Sequence, residues 1–206
     1  MSTASRTPIR IKSTWFRPGR PKSPEEVAAA LAFITWRVAQ NMLKSMRRAE
    51  FDIDPGPQYF DFLAEAVVFS IQVAWRLVHP RYDDDGRVAF MTTLANRTGE
   101  ELAENRSRLL GEEAPAAVKA RFIELLNRRS AEYADFGYGP EGPDFAFLRY
   151  FATCVAELMP EKDRRWTWDQ VIAIEGPEAA ASVAKSIAGL FDEAPRRQRR
   201  AAPAGE

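Results

Sequence analysis

The sequence predicts an all-α fold, an irregular bundle of six to seven helices preceded by an extended basic arm. Apolar residues recur at intervals of three and four over several long segments, which is the period of an amphipathic helix. Segments rich in proline, glycine and aspartate, such as 52–57 and 138–143, interrupt this period and indicate connections between helices. The chain of 206 residues is 46% hydrophobic and 11% aromatic, which suits one domain with a substantial core.

The first 22 residues predict an extended arm. Residues 6–22 contain six lysines and arginines, three prolines and no acidic residue. Pro18 and Pro21 favour extended backbone, because a proline restricts its own φ and the conformation of the residue before it. We therefore expect a basic arm over 1–22, a helical domain over 23–194 and a basic, disordered tail over 195–206.

The first two helices are predicted over about 24–49 and 58–79. Ser23 is suited to cap the first of them, because its hydroxyl can accept a hydrogen bond from a free backbone N–H of the first turn. The second is apolar over more than half of its circumference, so we expect it to be the central helix.

A third helix is predicted over about 86–110, after the acidic run Asp83–Asp85. The run does not fit a calcium-binding EF-hand loop, because Arg81 and Thr92 stand where ligands are needed. We expect it to cap the helix instead, where the helix dipole favours negative charge. The predicted apolar stripe of this helix is thin and consists of Val88, Met91, Ala95, Leu102 and Leu109.

Further helices are predicted over about 115–136, 143–159 and 167–174, and, after a break at Gly176–Pro177, up to about Glu193. Gly137 is placed to end the first of these, and Thr167 to begin the third as part of a capping box. We expect the core to be built by the helices at 24–49, 58–79, 118–136 and 143–159.

Charge is unevenly distributed along the chain. Residues 1–50 contain ten lysines and arginines against three glutamates, a net charge of +7, and the rest of the chain carries −7. Trp15 and Phe16 are two large aromatic residues within the otherwise polar arm. We expect them to be buried, either on the protein's own helical domain or in a partner. We therefore expect a non-enzymatic interaction or scaffold protein that docks on an acidic partner. A sister subunit is an alternative partner, and the protein would then be a homodimer. The predicted partner-binding residues are Arg10, Lys12, Trp15, Phe16, Arg17, Arg20 and Lys22.

Nucleic acid is an alternative partner for the arm and for the basic tail segment Arg196–Arg200. The string from Arg17 to Lys22 resembles the AT-hook type of minor-groove binder, which has Arg-Gly-Arg-Pro at its centre. Pro18 stands where that family has its first central arginine, so one of the two groove-inserting guanidinium groups is missing.

A second alternative is a small-molecule ligand held in an aromatic pocket of the bundle. Glu65 lies among large apolar residues, and if it faces inward it needs an arginine or a ligand; if it faces outward it belongs to the solvated stripe. The predicted pocket residues are Glu65, His79, Tyr138, Phe147 and Tyr150.

No motif for catalysis, a metal or a cofactor is found in the sequence, so we expect none of the three. Cys154 lies on an apolar helix and the chain has a single histidine, which leaves little basis for nucleophilic catalysis. The N-terminal segment lacks the apolar stretch of a secretory signal, and we expect a cytoplasmic protein without a transmembrane segment.

Overall fold

A computed structural model describes residues 22–111 and 113–192. The predicted tail over 195–206 and all of the predicted partner-binding residues except Lys22 lie outside these residues. Within them the chain is all-α, as predicted, with one short antiparallel pairing of β1 (Tyr138–Gly139) and β2 (Gly142–Pro143). The helices are α1 (Pro24–Arg48), α2 (Pro57–Val78), α3 (Asp84–Leu110), α4 (Pro115–Tyr133), α5 (Phe145–Leu158), α6 (Glu161–Gln170) and α7 (Gly176–Phe191).

Side-chain caps fix where several helices begin. Ser23 Oγ accepts a hydrogen bond from the N–H of Glu26 (3.3 Å), and the Glu26 carboxylate accepts one from the N–H of Ser23 (2.9 Å), which completes a capping box. Asp83 caps α3 by accepting a hydrogen bond from the N–H of Gly86 (2.9 Å), so the acidic run has the capping role predicted for it. Gly111 ends α3 with a φ of +66°, a left-handed conformation that favours glycine.

The helix α2 is the central helix, as its composition predicts. Nearly all of its residues after the first turn are buried, and α1, α3, α4, α5 and α7 pack around it. By length and composition alone the segment Pro57–Arg81 is apolar enough to cross a membrane, but 78% of its most apolar window is buried inside the bundle. Such burial is expected of the core helix of a globular bundle.

The buried face of α3 differs from the predicted stripe. Phe90, Leu94, Thr98 and Leu102 face the core, whereas Val88 is 67% exposed. Thr98 is polar and lies at the centre of this face, so the apolar pattern of the sequence did not indicate the face. Thr98 is tolerated there because its hydroxyl donates to the carbonyl oxygen of Leu94 (2.6 Å) within the same helix.

The C-terminal part of the bundle corrects two of the predicted boundaries. The helix expected to begin at Thr167 begins at Glu161, and Thr167 is buried within it, donating its hydroxyl hydrogen to the carbonyl oxygen of Asp163 (2.9 Å). The break expected at Gly176–Pro177 does not occur, because a π-helical segment, Val171–Glu175, joins α6 to α7 without interruption. Pro177 has no N–H to donate, and it follows the change to π-helical pairing, in which the N–H of Gly176 donates to the carbonyl oxygen of Val171.

The connection between α4 and α5 differs from the prediction in two respects, the end of α4 and the role of Gly137. The helix α4 ends at Tyr133, before the predicted end at 136, and Ala134 is in the capping position predicted for Gly137. Gly137 instead begins the β1–β2 hairpin, and its N–H donates to the carboxylate of Asp144 (2.9 Å). The other carboxylate oxygen of Asp144 caps α5 at Phe147 (2.8 Å).

Two glycines of α7 provide a matched test of the packing around the π-helical segment. A Cβ atom at Gly176 would lie 2.7 Å from a methyl carbon of Leu148 and 2.9 Å from the backbone oxygen of Val171, whereas a Cβ atom at Gly189 would meet nothing within 4 Å. We expect Gly176→Ala to lower the free energy of unfolding by about 1–3 kcal/mol. Gly189→Ala should raise it by up to about 1 kcal/mol, because alanine favours the helix. Urea unfolding measures both, and equal effects would contradict the packing described.

Candidate ligand-binding site

Glu65 faces the interior of the bundle and pairs with Arg129 of α4. The Glu65 residue is 6% exposed. Arg129 Nη2 donates to Glu65 Oε1 (2.7 Å), and Arg129 Nε lies 3.2 Å from both carboxylate oxygens. Of the two orientations considered for Glu65 the inward one is therefore observed, and the group it requires is an arginine of the chain itself.

The pair belongs to a polar seam between α2 and α4. Gln72 donates to the Ser130 hydroxyl (2.7 Å), and Arg76 donates to the carbonyl oxygens of Tyr133 (2.7 Å) and Phe136 (2.9 Å) beyond the end of α4. These contacts supply acceptors and donors to polar groups on the most apolar helix of the protein, where unpaired ones would be costly. They were not predicted from the sequence, although charged residues in an apolar helix signal that partners must exist.

Arg129 extends the pair into a network that reaches α5. Its Nη1 donates to the Tyr150 hydroxyl (2.7 Å) and lies 3.3 Å from the Glu132 carboxylate. The Tyr150 hydroxyl in turn donates to Glu132. Two of the predicted pocket residues, Glu65 and Tyr150, are thus brought together, with Arg129 between them.

The ionisation of the network follows from burial and from these contacts. Burial raises the pKa of Glu65, and the hydrogen bonds and charge of Arg129 oppose that shift. Burial acts against the charged form of Arg129, but the contacts with Glu65 outweigh it and raise the Arg129 pKa. Burial and the hydrogen bond to Glu132 raise the pKa of Tyr150. Burial also raises the pKa of the neighbouring Cys154 thiol to about 12, which favours the buried, unreactive cysteine expected from the sequence.

The other three predicted pocket residues do not join the network. Phe147 is fully buried against Tyr133 (4.5 Å between ring centroids) and Tyr138 (6.2 Å), so these rings form packed core rather than the wall of a pocket. His79 lies at the end of α2, edge-on to Trp75 (4.8 Å between ring centroids). It follows Glu65 by fourteen residues, a distance of about 21 Å along a helix.

A cleft of about 300 Å³ lies on the other side of Glu65, between α2, α3 and α4. Seven of its thirteen lining residues are apolar, and the other six are three arginines and three carboxylates. The lining residues are Phe60, Asp61, Ala64, Glu65, Leu102, Arg106, Val118, Arg121, Phe122, Glu124, Leu125, Arg128 and Leu158.

Arg106 is the most deeply placed arginine of this cleft. Its side chain is only 14% exposed, and its guanidinium carbon lies 5.7 Å from the centroid of the Phe60 ring. Its nearest carboxylate oxygens, on Asp61 and Glu113, are 3.6 Å and 3.8 Å away. Both distances exceed that of a hydrogen bond, and Arg106 makes none with the residues that the structure describes.

The two other arginines of the cleft are more exposed. Arg121 forms a bidentate pair with Glu113, with N–O distances of 2.7 Å and 2.8 Å. Arg128 is exposed and has no carboxylate within 4 Å among residues 22–111 and 113–192. The cleft was not predicted, because it depends on how α3 lies against α2 and α4.

Comparisons of the chain with known protein families, with curated proteins and with solved structures found no match. The function is therefore inferred from the chemistry of the cleft and of the ion pair beside it.

Removing Arg129, the cation of the buried ion pair, should make the stability of the protein depend on pH. In Arg129→Met the Glu65 carboxylate stays buried without a counter-charge, and we expect the free energy of unfolding at pH 7 to fall by about 3–5 kcal/mol. Because the pKa of Glu65 is raised above its ordinary value of 4.5, the folded state holds the proton more tightly than the unfolded state. The stability of the variant should therefore decrease as the pH rises from about 4.5 through the raised pKa.

The control is the double variant Glu65→Leu/Arg129→Met, which removes both charges. We expect it to regain much of the lost stability and to lose the added pH dependence. Urea unfolding at a series of pH values measures both variants. A single variant whose stability does not depend on pH more than that of the native protein would contradict the assignment.

Proposed function

We propose that this protein binds a small amphipathic anion in the cleft between α2, α3 and α4. The observation that carries the proposal is Arg106, which lines the cleft with a side chain that is 14% exposed and makes no hydrogen bond with the residues described, although Asp61 and Glu113 lie within ion-pair distance. Its guanidinium nitrogens keep some contact with solvent, and an anionic group in the cleft would replace that water with charge-assisted hydrogen bonds.

The apolar residues that line the cleft indicate a ligand with an apolar body. Phe60, Leu102 and Phe122 are buried side chains that line the cleft, and Leu125 and Leu158 line it further. A cleft of about 300 Å³ lies at the lower end of the range of roughly 300–1,000 Å³ that is usual for small-molecule sites. The body of the ligand is therefore a short alkyl chain or a single ring.

Binding, rather than covalent chemistry, suits the composition of the lining. Among the residues that the structure describes, those lining the cleft include no cysteine, serine, threonine, histidine, lysine or tyrosine. Its ionisable groups are carboxylates and arginines, which orient charged ligands. The sequence predicts, as an alternative, a ligand in an aromatic pocket of the bundle, whereas we now propose that the ligand binds in this cleft.

Octanoate is a suitable probe, since it combines a carboxylate with a short alkyl chain. We expect saturable binding by isothermal titration calorimetry and at least about tenfold weaker binding by Arg106→Gln, because a hydrogen bond to a charged group contributes about 1.5–3 kcal/mol. Arg97→Gln is the matched control, an exposed arginine on the same helix, and should bind as the native protein does. Octanol binding as tightly as octanoate, or an unchanged affinity in Arg106→Gln, would exclude this site.

Docking on an acidic partner remains the second candidate function, and one contact of the described residues favours it. The Lys22 ammonium group donates to the carbonyl oxygen of Leu190, near the end of α7. Lys22 and Leu190, near the two ends of the described chain, therefore lie close together. The terminal segments 1–22 and 193–206 together hold ten lysines and arginines against two glutamates, whereas residues 23–192 carry a net charge of −8.

Deleting residues 1–21 tests this second function. We expect the deletion variant to keep its melting temperature within a few degrees and to lose a protein partner or its self-association. Co-purification from the source cells with quantitative mass spectrometry and analytical ultracentrifugation measure these two effects. The variant Trp15→Ala/Phe16→Ala retains the basic charge and should lose the partner as well, since the aromatic side chains are the proposed anchors. Capture of nucleic acid alone would favour the AT-hook-like alternative, and an unfolded deletion variant would show that the arm belongs to the core.

A further inference from the structure

We infer that Glu113, which lies beside Arg121 and Arg106 of the cleft, occupies the place of the ligand's carboxylate and leaves it when the ligand binds. This inference rests on the proposed function, and it defines the ligand as a carboxylate. It also makes Glu113 a built-in competitor that sets the affinity of the site.

The Glu113 carboxylate lies between two arginines, Arg121 and Arg106. Arg121 holds both of its oxygens, with one nitrogen at 2.7 Å from Oε1 and the other at 2.8 Å from Oε2. Arg106 Nε lies 3.8 Å from the same Oε2. Both arginines line the cleft, so one carboxylate of the chain lies between the two cations that a bound anion would use.

Among the described residues, Glu113 makes no side-chain contact other than those with Arg121 and Arg106 that would hold it there. It lies in the connection between α3 and α4, and the capping position of α4, Ala114, receives no hydrogen bond from a side chain. Its side chain is 30% exposed, and its contacts with Arg121 and Arg106 are those of a surface ion pair, which water and salt weaken. A ligand that also buries an apolar body in the cleft can displace such a group.

The guanidinium groups of the cleft indicate the chemical class of the ligand. A guanidinium group offers two parallel N–H donors in a plane, which match the two oxygens of a carboxylate, and Arg121 already binds Glu113 in this way. Arg106, which is without hydrogen bonds among the described residues, lies close enough to share the same anion once the anion moves deeper into the cleft. The ligand is therefore a monocarboxylate with a short alkyl or aromatic body.

The experiment compares octanoate affinities of the native protein and Glu113→Gln by isothermal titration calorimetry. Removing the competing charge should tighten octanoate binding about twofold to fivefold, the range that corresponds to an exposed ion pair. The control is Glu100→Gln, which removes an exposed carboxylate that pairs with Lys119 outside the cleft lining and should leave the affinity nearly unchanged. In the background of Arg121→Gln the gain from Glu113→Gln should disappear, because Arg121 holds the competing carboxylate.

Each alternative outcome is distinguishable. Octanoate binding with equal affinity to the native protein and Glu113→Gln would overturn the competition and leave the proposed function intact. Equal gains in Glu113→Gln and Glu100→Gln would reduce the effect to a change in overall charge and overturn it as well. Tighter binding of octyl phosphate than of octanoate would overturn the carboxylate assignment. Binding of neither probe by any folded variant, with folding checked by thermal melting, would overturn the proposed function itself.

Discussion

The buried ion pair between Glu65 and Arg129 restricts how α4, which packs mainly on α3, can lie against the central helix. A carboxylate inside an apolar bundle must keep its counter-charge, so the face and register of α4 that meet α2 are restricted to those that bring Arg129 to Glu65. The same arginine reaches Tyr150, which ties α5 to the same point. The seam continues through Gln72 and Arg76 and is thus specified by polar contacts along much of its length.

The position of α4 has a direct consequence on the opposite side of Glu65. Arg121 and Phe122 lie about two turns before Arg129 on the same helix, so the pair that fixes Arg129 also fixes one wall of the cleft. The helix α3 forms the other wall and contributes Arg106. The structural network satisfies its charges internally, whereas the cleft leaves Arg106 without a hydrogen bond among the described residues. We place the proposed ligand at Arg106 for this reason.

The fold class and several helix boundaries could be predicted because they depend on local chemistry. Ser23 and Asp83 cap their helices wherever those helices pack, and the apolar circumference of α2 requires a central position. The buried face of α3 could not be predicted, because Thr98 satisfies its hydroxyl within the helix and breaks the apolar stripe. The partner of Glu65 and the exposure of Arg106 depend on contacts between distant segments, which periodicity does not encode.

The most direct test of the central claim is a crystal structure of the protein with octanoate. We expect the octanoate carboxylate within hydrogen-bond distance of Arg106 and Arg121, its alkyl chain on Phe60 and Phe122, and the Glu113 side chain turned away from Arg121. The Glu65–Arg129 pair should be unchanged. Octanoate bound elsewhere, or bound in the cleft with its carboxylate remote from Arg106, would contradict the account.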